Sequence, residues 1–210
     1  MSRLDTAADP QPVDRRQRRR DAKLATIVAE AWDLARRDDG LTGISLRDVA
    51  ERVDLRQPSL YAYFDSKLAL YDAMFADGYR QLLEQVVQLS PVDDPREALV
   101  QFVEFCVRFS SDDVVRHQLL FQRTIPGFEP SPESYALALE FFAIGQQKLA
   151  AVGVTDPDGA DLFTGIVAGF AAQQVANDPG GDRWVRQSRR AIEMFLADVD
   201  RHTKSRKATR

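Results

Sequence analysis

The sequence predicts an all-α fold of about nine helices, and three observations lead to this prediction. Apolar residues recur at spacings of three and four along nearly all of the 210 residues, which is the period of an amphipathic helix. No convincing run of alternating, β-branched residues interrupts this pattern, so strands are not predicted. Acidic or hydroxyl residues followed by proline, together with glycine-containing stretches, divide the pattern as helix starts and ends do.

Four helices are predicted in the N-terminal part of the chain, each from a start signal. The first follows a segment, 1–13, that we expect to be a disordered arm. It begins at Asp14, whose spacing to Gln17 resembles a capping box. Ser45 caps the second helix, and Pro58 lies in the first turn of the third, where its missing amide hydrogen has no partner to lose. The predicted ranges, in order, are 14–38, 45–53, 57–64 and 66–88.

Five further helices are predicted in the rest of the chain. The strongest start signal combines an acidic cap, Asp94, with Pro95 in the first turn and Glu97 placed to reach back to the cap. The five helices begin at about 95, 112, 131, 156 and 182. The last is expected to end near 201, and the basic tail 202–210 is expected to be disordered.

Charge is distributed unevenly along the chain. Residues 1–67 contain 13 Lys and Arg against 12 Asp and Glu, whereas residues 68–210 contain 15 against 20. A basic cluster runs from Arg15 to Lys23. A basic start on an acidic body suits a protein that contacts phosphate at one end only, although a charged run is equally explained as a solvated helix face.

Several classes of site and location are disfavoured by composition. The single cysteine, Cys106, cannot form an intrachain disulfide, which fits a reducing compartment. With His117 and His202 it supplies few ligands for zinc, so we expect neither a metal nor another cofactor. No apolar run approaches the length needed to cross a bilayer, and no charged-then-apolar leader opens the sequence. We therefore expect a cytoplasmic protein that does not contact a membrane.

The segment from Ser45 to Phe64 has the proportions of a helix-turn-helix. Two short predicted helices are separated by a turn of three or four residues, as that motif requires. Val49 and Val53 of the first helix would face inward together with Leu60 and Phe64 of the second. The second helix would then present its polar side to the major groove of DNA.

The residues in and around this motif closely resemble the DNA-binding domain of the TetR (tetracycline repressor) family. The matching stretches are Ile44-Ser45-Leu46-Arg47-Asp48-Val49-Ala50, Gln57-Pro58-Ser59-Leu60-Tyr61-Ala62-Tyr63-Phe64, Ser66-Lys67, and Leu70, Tyr71, Ala73 and Met74. The resemblance covers roughly residues 14–88. One departure is Asp54, where the family usually has glycine, but Asp tolerates left-handed backbone geometry better than most residues.

The resemblance, together with side-chain chemistry, predicts which residues contact double-stranded DNA. They are Ser45, Leu46, Arg47, Arg56, Gln57, Ser59, Tyr61, Ala62, Tyr63 and Lys67. The guanidinium of Arg47 can pair with a guanine edge and the amide of Gln57 with an adenine edge. Ser45 and Lys67 lie at helix starts, whose free amides favour phosphate oxygens.

Each of these assignments has a structural alternative. In the alternative for Arg47, its guanidinium pairs with Glu51 on the same helix and not with a base. In the alternative for Tyr61, it serves only to anchor the small core, as Phe64 would. In the alternative for Ala62, the residue is exposed to solvent and makes no contact with a thymine methyl group. The cluster from Arg15 to Lys23 either extends the backbone contact, reaches the minor groove from a flexible arm, or is simply solvated.

The resemblance implies a domain for ligand binding and dimerisation in residues 89–201. In the family, the final two helices of each subunit pack against those of a second copy. The predicted helix 161–177 is apolar around much of its circumference, and Gly165 and Gly169 would permit close helix approach. We expect the homodimer contacts to involve Phe163, Val167, Trp184, Ile192 and Phe195. The alternative is a larger core within one chain.

A ligand cavity is expected in the same domain, because aromatic residues concentrate there and polar residues interrupt an apolar helix. The candidate lining residues are Phe102, Cys106, Phe121, Tyr135, Phe142, Phe170, Gln173 and Gln174. Cys106 is expected to be a buried small hydrophobe rather than a redox sensor. His117 is expected to be an exposed or rim residue.

Together these expectations describe a regulator that is not an enzyme. It would be a repressor that reads a palindromic operator and is released by an unidentified small apolar or amphipathic effector. Alternatives are a regulator that activates or has no effector, and, from other classes, a helical enzyme or a protein-interaction bundle. No nucleophile and base pair, metal-ligand spacing or glycine-rich phosphate loop supports an enzyme.

Overall fold

Ten α-helices make up the regular structure of the described part of the chain, and that part contains no strand. The computed structural model describes residues 12–37 and 40–208, with side chains from 15 to 202 within those ranges. The helices are α1 Pro12–Arg37, α2 Gly40–Gly43, α3 Leu46–Arg52, α4 Gln57–Leu60, α5 Lys67–Val86, α6 Pro95–Asp112, α7 Val114–Phe121, α8 Pro132–Ala151, α9 Pro157–Asn177 and α10 Arg183–Ala208. The all-α prediction is confirmed. Within the same ranges, no helix is long and apolar enough to cross a membrane.

Two differences from the prediction concern short helices. The predicted count of nine was one too low for the described residues, because α2 has only four residues and buries a single side chain, Leu41. Four residues are too few to show a helical period in the sequence. The second helix of the helix-turn-helix was predicted to reach Phe64, but α4 ends at Leu60 and a turn occupies 61–63.

The ends of the chain are more helical than predicted. Helix α1 begins at Pro12, two residues before Asp14, and residues 1–11 of the expected arm lie outside the described residues. Helix α10 continues to Ala208, so the prediction of a disordered tail is wrong for the backbone up to that residue. No glycine or proline follows Asp182 in the sequence, so no strong stop signal ends this helix.

Three helix starts that were predicted from capping residues in the C-terminal part of the chain agree with the structure. The side chains of Asp94, Ser131 and Asp156 each accept a hydrogen bond from a backbone amide in the first turn of α6, α8 and α9. A proline occupies the first turn of all three helices. Such local chemistry satisfies amides that have no partner within the helix, which is why it can be read from sequence.

The described residues fall into two units, Met1–Leu70 and Tyr71–Arg210. Helix α5 begins in the first unit and continues in the second. In the N-terminal unit, α1 packs against α2 and α3, and α3 packs against α4. The core of this unit contains two large aromatic residues, Trp32 and Phe64, together with aliphatic side chains. Its fully buried members include Ile27, Ala31, Val49, Ala50, Leu60 and Leu70.

Helix α6 is the central element of the C-terminal unit and packs against α7, α8, α9 and α10. It buries Leu99, Val103 and Val107. On its more exposed side, Arg189 of α10 donates two hydrogen bonds of 2.8 Å to the Glu97 carboxylate. This contact holds the pKa of Glu97 below its ordinary value. Glu97, predicted to reach back to the cap of its own helix, therefore fastens α10 to α6.

Candidate nucleic-acid interface and ligand cavity

The helix-turn-helix of the N-terminal unit is formed by α3, the turn 53–56 and α4. Its apolar side chains, among them Val49, Leu60 and Phe64, are buried as the sequence predicted. Phe64 is 5% exposed and belongs to the core, whereas Tyr61 is 49% exposed and does not. The alternative in which Tyr61 only anchors the core therefore does not agree with the structure.

Asp54 occupies the left-handed position that ends α3. Its φ is 54°, a backbone conformation that residues other than glycine rarely adopt. The amide of Leu55 donates to the carbonyl of Ala50 at 2.9 Å, and the amide of Asp54 donates to that of Glu51 at 3.4 Å. This pair of hydrogen bonds closes a Schellman motif. The departure from the usual family glycine thus leaves the turn geometry intact.

This geometry makes residue 54 a sensitive position for stability. Replacing Asp54 by valine is expected to lower the free energy of unfolding by about 1–2 kcal/mol, because a β-branched side chain is strained at positive φ. Asp54→Gly is expected to be at least as stable as the wild type. Urea unfolding followed by the fluorescence of Trp32, buried in the same unit, measures both variants when Trp184 is replaced by phenylalanine in every protein compared. Equal stability of the two variants would contradict the assigned turn.

The start of α3 is fixed by its own side chains. Ser45 is the N-cap, and its hydroxyl accepts from the Asp48 amide at 3.1 Å and donates to the Asp48 carboxylate at 2.6 Å. Arg47 donates to the Glu51 carboxylate one turn later at 3.0 Å. Both side chains of this pair are more than half exposed. The pair is therefore weak, and it leaves the guanidinium able to exchange this carboxylate for another partner.

Helix α4 and the turn after it present a polar surface. Five of the predicted contact residues there are exposed, namely Arg56, Gln57, Ser59, Tyr61 and Ala62. Leu46, near the start of α3, is half-buried. Tyr63 is also half-buried, with the guanidinium of Arg20 lying 5.1 Å from its ring centroid. The same guanidinium donates to the Ala62 carbonyl at 3.1 Å, which fixes the turn that follows α4.

Lys67 lies in the first turn of α5, as expected, but its ammonium group is already engaged. Its Nζ donates to the Thr42 carbonyl at 2.8 Å, a contact that ties α5 to α2. Partial burial lowers the pKa of this lysine from its ordinary value. A phosphate contact by Lys67 would have to be made alongside this structural hydrogen bond.

Part of the basic cluster from Arg15 to Lys23 forms hydrogen bonds to the backbone of the helix-turn-helix. These residues lie in helix α1, so the idea that they form a flexible arm is wrong. Lys23 donates to the Val53 carbonyl at 2.8 Å, in the turn between α3 and α4. Lys23 and Arg20 thus stabilise the two turns of the helix-turn-helix region. The sequence did not reveal this role, because the groups that accept these hydrogen bonds are backbone carbonyls.

A second candidate site is a cavity of about 480 Å³ in the C-terminal unit, lined by residues of α5 to α9 and by Gln122, which follows α7. Four of the eight side chains predicted to line a ligand site do so: Phe102, Cys106, Phe121 and Phe142. Burial raises the pKa of the Cys106 thiol, which keeps it protonated. The other four, Tyr135, Phe170, Gln173 and Gln174, are not among the lining residues.

Gln174 has a structural role instead. It is fully buried, and its Oε1 accepts from the amides of Trp184 and Val185 at 2.9 and 3.3 Å. Its Nε2 donates to the Asp178 carbonyl. Gln174 therefore caps the first turn of α10 and joins it to the end of α9. Gln173 is exposed and accepts a hydrogen bond from Asn177.

Sequence reasoning missed most of the polar residues that line the cavity. They are Ser110, His117, Gln122, Gln146, Asp161 and Thr164. His117 was expected at the rim, but it is 5% exposed, and burial lowers the pKa of its imidazole, so the ring is neutral near pH 7. Its Nε2 lies 3.2 Å from the Gln122 amide nitrogen. A signal was available only for Asp161 and Thr164, whose spacing of three places them on one face of α9.

The predicted dimer residues are only partly available at the surface. Phe163, Ile192 and Phe195 are buried within their own unit, and the rings of Phe163 and Phe195 lie 6.1 Å apart. For these three, the larger intrachain core is the better description. Val167 is half-buried and lines the cavity. Trp184 is half-buried, with the ring of Phe170 at 6.0 Å.

Comparison with known proteins gives a family match for the helix-turn-helix region and a fold for most of the chain. The model of the family described as bacterial regulatory proteins, tetR family, matches residues 27–74. These residues include all of α2, α3 and α4. No curated protein has a sequence that matches this chain.

Several solved structures share the fold. A TetR/AcrR-family transcriptional regulator from Thermobifida fusca is 25% identical, with a TM-score of 0.60 over 81% of this chain and 96% of its own. A tetR-family transcriptional regulator from Streptomyces coelicolor is 17% identical, with a TM-score of 0.65 over 85% and 82%. A TetR variant from Acinetobacter baumannii, in complex with minocycline, is 22% identical, with a TM-score of 0.53 over 84% and 96%. By sequence, the helix-turn-helix region of this chain matches the tetR family of bacterial regulatory proteins, and over most of its length the chain shares the fold of TetR-family transcriptional regulators.

Proposed function

We propose that this regulator is a homodimeric repressor that binds a palindromic operator through α3 and α4 and leaves it when a small molecule enters the cavity. The observation that carries the DNA-binding part is the two-sided character of α4. Leu60 is fully buried, whereas Gln57 and Ser59 are exposed. An exposed amide and hydroxyl on a short helix can hydrogen-bond base edges in the major groove. Such a protein acts on DNA in the cytoplasm.

Formation of a homodimer is supported by an exposed apolar face on α9. Leu162 is more than half exposed, and it shares this face with Gly165 and Gly169, three and seven residues later. A Cβ atom built at either glycine meets nothing within 4 Å. A second copy of α9 could therefore approach closely along this face. Two-fold symmetry would present two α4 helices to half-sites one helical turn, about 34 Å, apart.

Ligand control of DNA binding is supported by a connection within the C-terminal unit. Helix α8 lines the cavity with Phe141 and Phe142. The first turn of the same helix is fastened to Asp72 of α5, whose carboxylate accepts from the Ser131 amide at 2.7 Å and from the hydroxyls of Ser131 and Ser134 at 2.8 and 2.9 Å. We call this set the Asp72 clamp. A ligand that displaced α8 would pull on α5, whose first turn carries Lys67.

Breaking the Asp72 clamp is expected to weaken the coupling between ligand and DNA. Coupling energies between sites correspond typically to about 5- to 150-fold changes in affinity. In the wild type, a saturating cavity probe such as N-phenylnaphthylamine is expected to lower operator affinity at least fivefold. In Asp72→Ala, the loss should fall below about twofold, while the variant still binds both probe and DNA. Fluorescence anisotropy of labelled DNA measures the change.

Glu84→Ala provides the control for this prediction, because Glu84 is an exposed carboxylate on the same helix. It should retain the full effect of the probe on DNA affinity. If Asp72→Ala retains it as well, the clamp does not transmit the signal. If the wild type shows no effect of any cavity probe, ligand release is not the mechanism.

A gel-shift titration at graded salt tests the proposed function itself. The DNA is the region upstream of the gene, with an unrelated duplex of equal length as the competitor. A sequence-specific reader loses affinity for both duplexes as salt rises but keeps its preference for the operator. Absence of any preference at every salt concentration would contradict the proposal.

A further inference from the structure

The charge carried by the side chains that line the cavity is negative. Among its lining residues within the described chain, Asp161 is the only one with a formal charge near pH 7, because the ring of His117 is neutral there. Asp161 lies in the first turns of α9, with Thr164 one turn later on the same face. Among the described residues, its exposed carboxylate forms neither a hydrogen bond nor an ion pair. The cavity therefore presents an unpaired negative group at its edge.

Two cations lie near the cavity, but neither lines it. Arg116 lies 3.7 Å from the ring centroid of Phe109 and donates to the Gln81 side chain and to the Phe109 carbonyl. Lys148 lies 5.9 Å from the ring centroid of Phe102. In both cases the phenyl ring is the group that lines the cavity, and the cation is not. An anionic ligand would have to lose its hydration without a cationic side chain lining the cavity to replace it.

Aromatic side chains form a large part of the remaining wall of the cavity. Six phenylalanines line it, namely Phe102, Phe109, Phe121, Phe141, Phe142 and Phe163. Two of these, Phe121 and Phe142, are 38% and 43% exposed, although they are large apolar side chains. A bound aromatic molecule would cover this surface, and the faces of the rings also attract organic cations.

We infer that the effector is a flat aromatic molecule that carries a positive charge, such as an aromatic amine or a quaternary aromatic cation. Its ring system lies against the phenylalanine wall, and its positive group lies beside Asp161 and Thr164. Carboxylates, sulfonates and phosphates are rejected, because no lining side chain can neutralise them. This inference rests on the proposal that the cavity is the effector site, and it adds the chemical class of the effector.

Three fluorescent probes of similar size test the charge preference on the full-length protein without DNA. A dimethylaminostyryl methylpyridinium dye is cationic, N-phenylnaphthylamine is neutral, and anilinonaphthalene sulfonate is the anionic counterpart of the neutral probe. The sulfonate is expected to bind at least about tenfold more weakly than N-phenylnaphthylamine, since a charge is buried without a partner. Asp161→Asn should weaken the cationic dye about fivefold and change the neutral probe by less than about twofold.

Two variants make the result specific to the cavity. Asp158→Asn removes the same charge from an exposed residue on the same helix that does not line the cavity, and should leave all three affinities unchanged. Ala168→Trp fills the cavity from α9 and should abolish binding of every probe. Binding of the sulfonate as tightly as its neutral counterpart would overturn the inference. So would an unchanged affinity of Asp161→Asn for the cationic dye, or no binding of that dye to the wild type.

The failure of this inference can be told apart from the failure of the proposed function. If the probes bind in the wrong order, yet one of them releases the operator in a gel shift, only the chemical class of the effector is wrong. If the probes bind in the expected order and none alters DNA affinity, the cavity has the inferred preference but the release mechanism fails.

Discussion

Alanine at Arg47 or at Gln57 is expected to lower the affinity for the operator about ten- to a hundredfold and to leave binding to unrelated DNA almost unchanged. A bidentate contact to a base edge contributes about 1–3 kcal/mol of discrimination against the wrong base. Both side chains are exposed at the surface formed by α3 and α4. The hydrogen bond from Arg47 to Glu51 is the main competitor, and it is weak because both groups are solvated. Competition gel shifts with operator and mismatched duplexes measure the ratio.

Two companion variants distinguish base reading from general attraction to DNA. Glu51→Ala removes the competitor for Arg47 and should retain or raise operator affinity. Lys67→Ala should weaken operator and unrelated DNA alike, because a phosphate contact carries no sequence information. Thermal melting must accompany this variant, since the Lys67 hydrogen bond to Thr42 is lost as well. Loss of discrimination in Lys67→Ala, but not in Arg47→Ala or Gln57→Ala, would reverse the residue assignments.

The largest stability effect is expected from Gln174→Leu, which should lower the free energy of unfolding by about 3 kcal/mol. Leucine keeps the volume but removes both polar groups. The amides of Trp184 and Val185 and the carbonyl of Asp178 would lose their partner in a site where the glutamine is fully buried. Each buried group left without a hydrogen bond costs about 1–3 kcal/mol. Urea unfolding at fixed protein concentration measures this, because association with a second copy would add to apparent stability.

Gln173→Leu is the matched control for this prediction. Gln173 is the neighbouring residue on α9, is exposed, and bonds only Asn177 among the contacts described for it. Substitution of such a surface residue should change the free energy of unfolding by less than about 0.5 kcal/mol. Equal effects of the two leucine variants would show that Gln174 does not cap α10.

What could be predicted from the sequence was what depends on neighbouring residues. The caps Asp94, Ser131 and Asp156 satisfy amides two or three positions away, so the pattern of side chains is enough to place the helix starts. The inward face of the helix-turn-helix follows from helical periodicity in the same way. The tolerance of left-handed geometry by Asp54 was also local, because the turn is closed within six residues.

What could not be predicted depends on partners far along the chain. Gln174 looked like a polar interruption in an apolar helix, and only the position of α10 shows that it is a cap. His117 is buried because α7 packs against the central helix α6, and its flanking charged and polar residues suggested the opposite. The apolar helix α9 signalled burial on more than one side, but its sequence did not show which side was already covered. Phe163 was therefore assigned to an interface, although it is buried within its own unit.

The central claim is that α3 and α4 read a DNA sequence, and in vitro selection from a random duplex library tests it most directly. Full-length protein and the double variant Arg47→Ala, Gln57→Ala are carried through identical rounds. We predict that the wild type enriches an inverted repeat with half-site centres about one helical turn apart, and that the double variant enriches no common sequence. No enriched motif with the wild type, or the same motif with both proteins, would contradict the account.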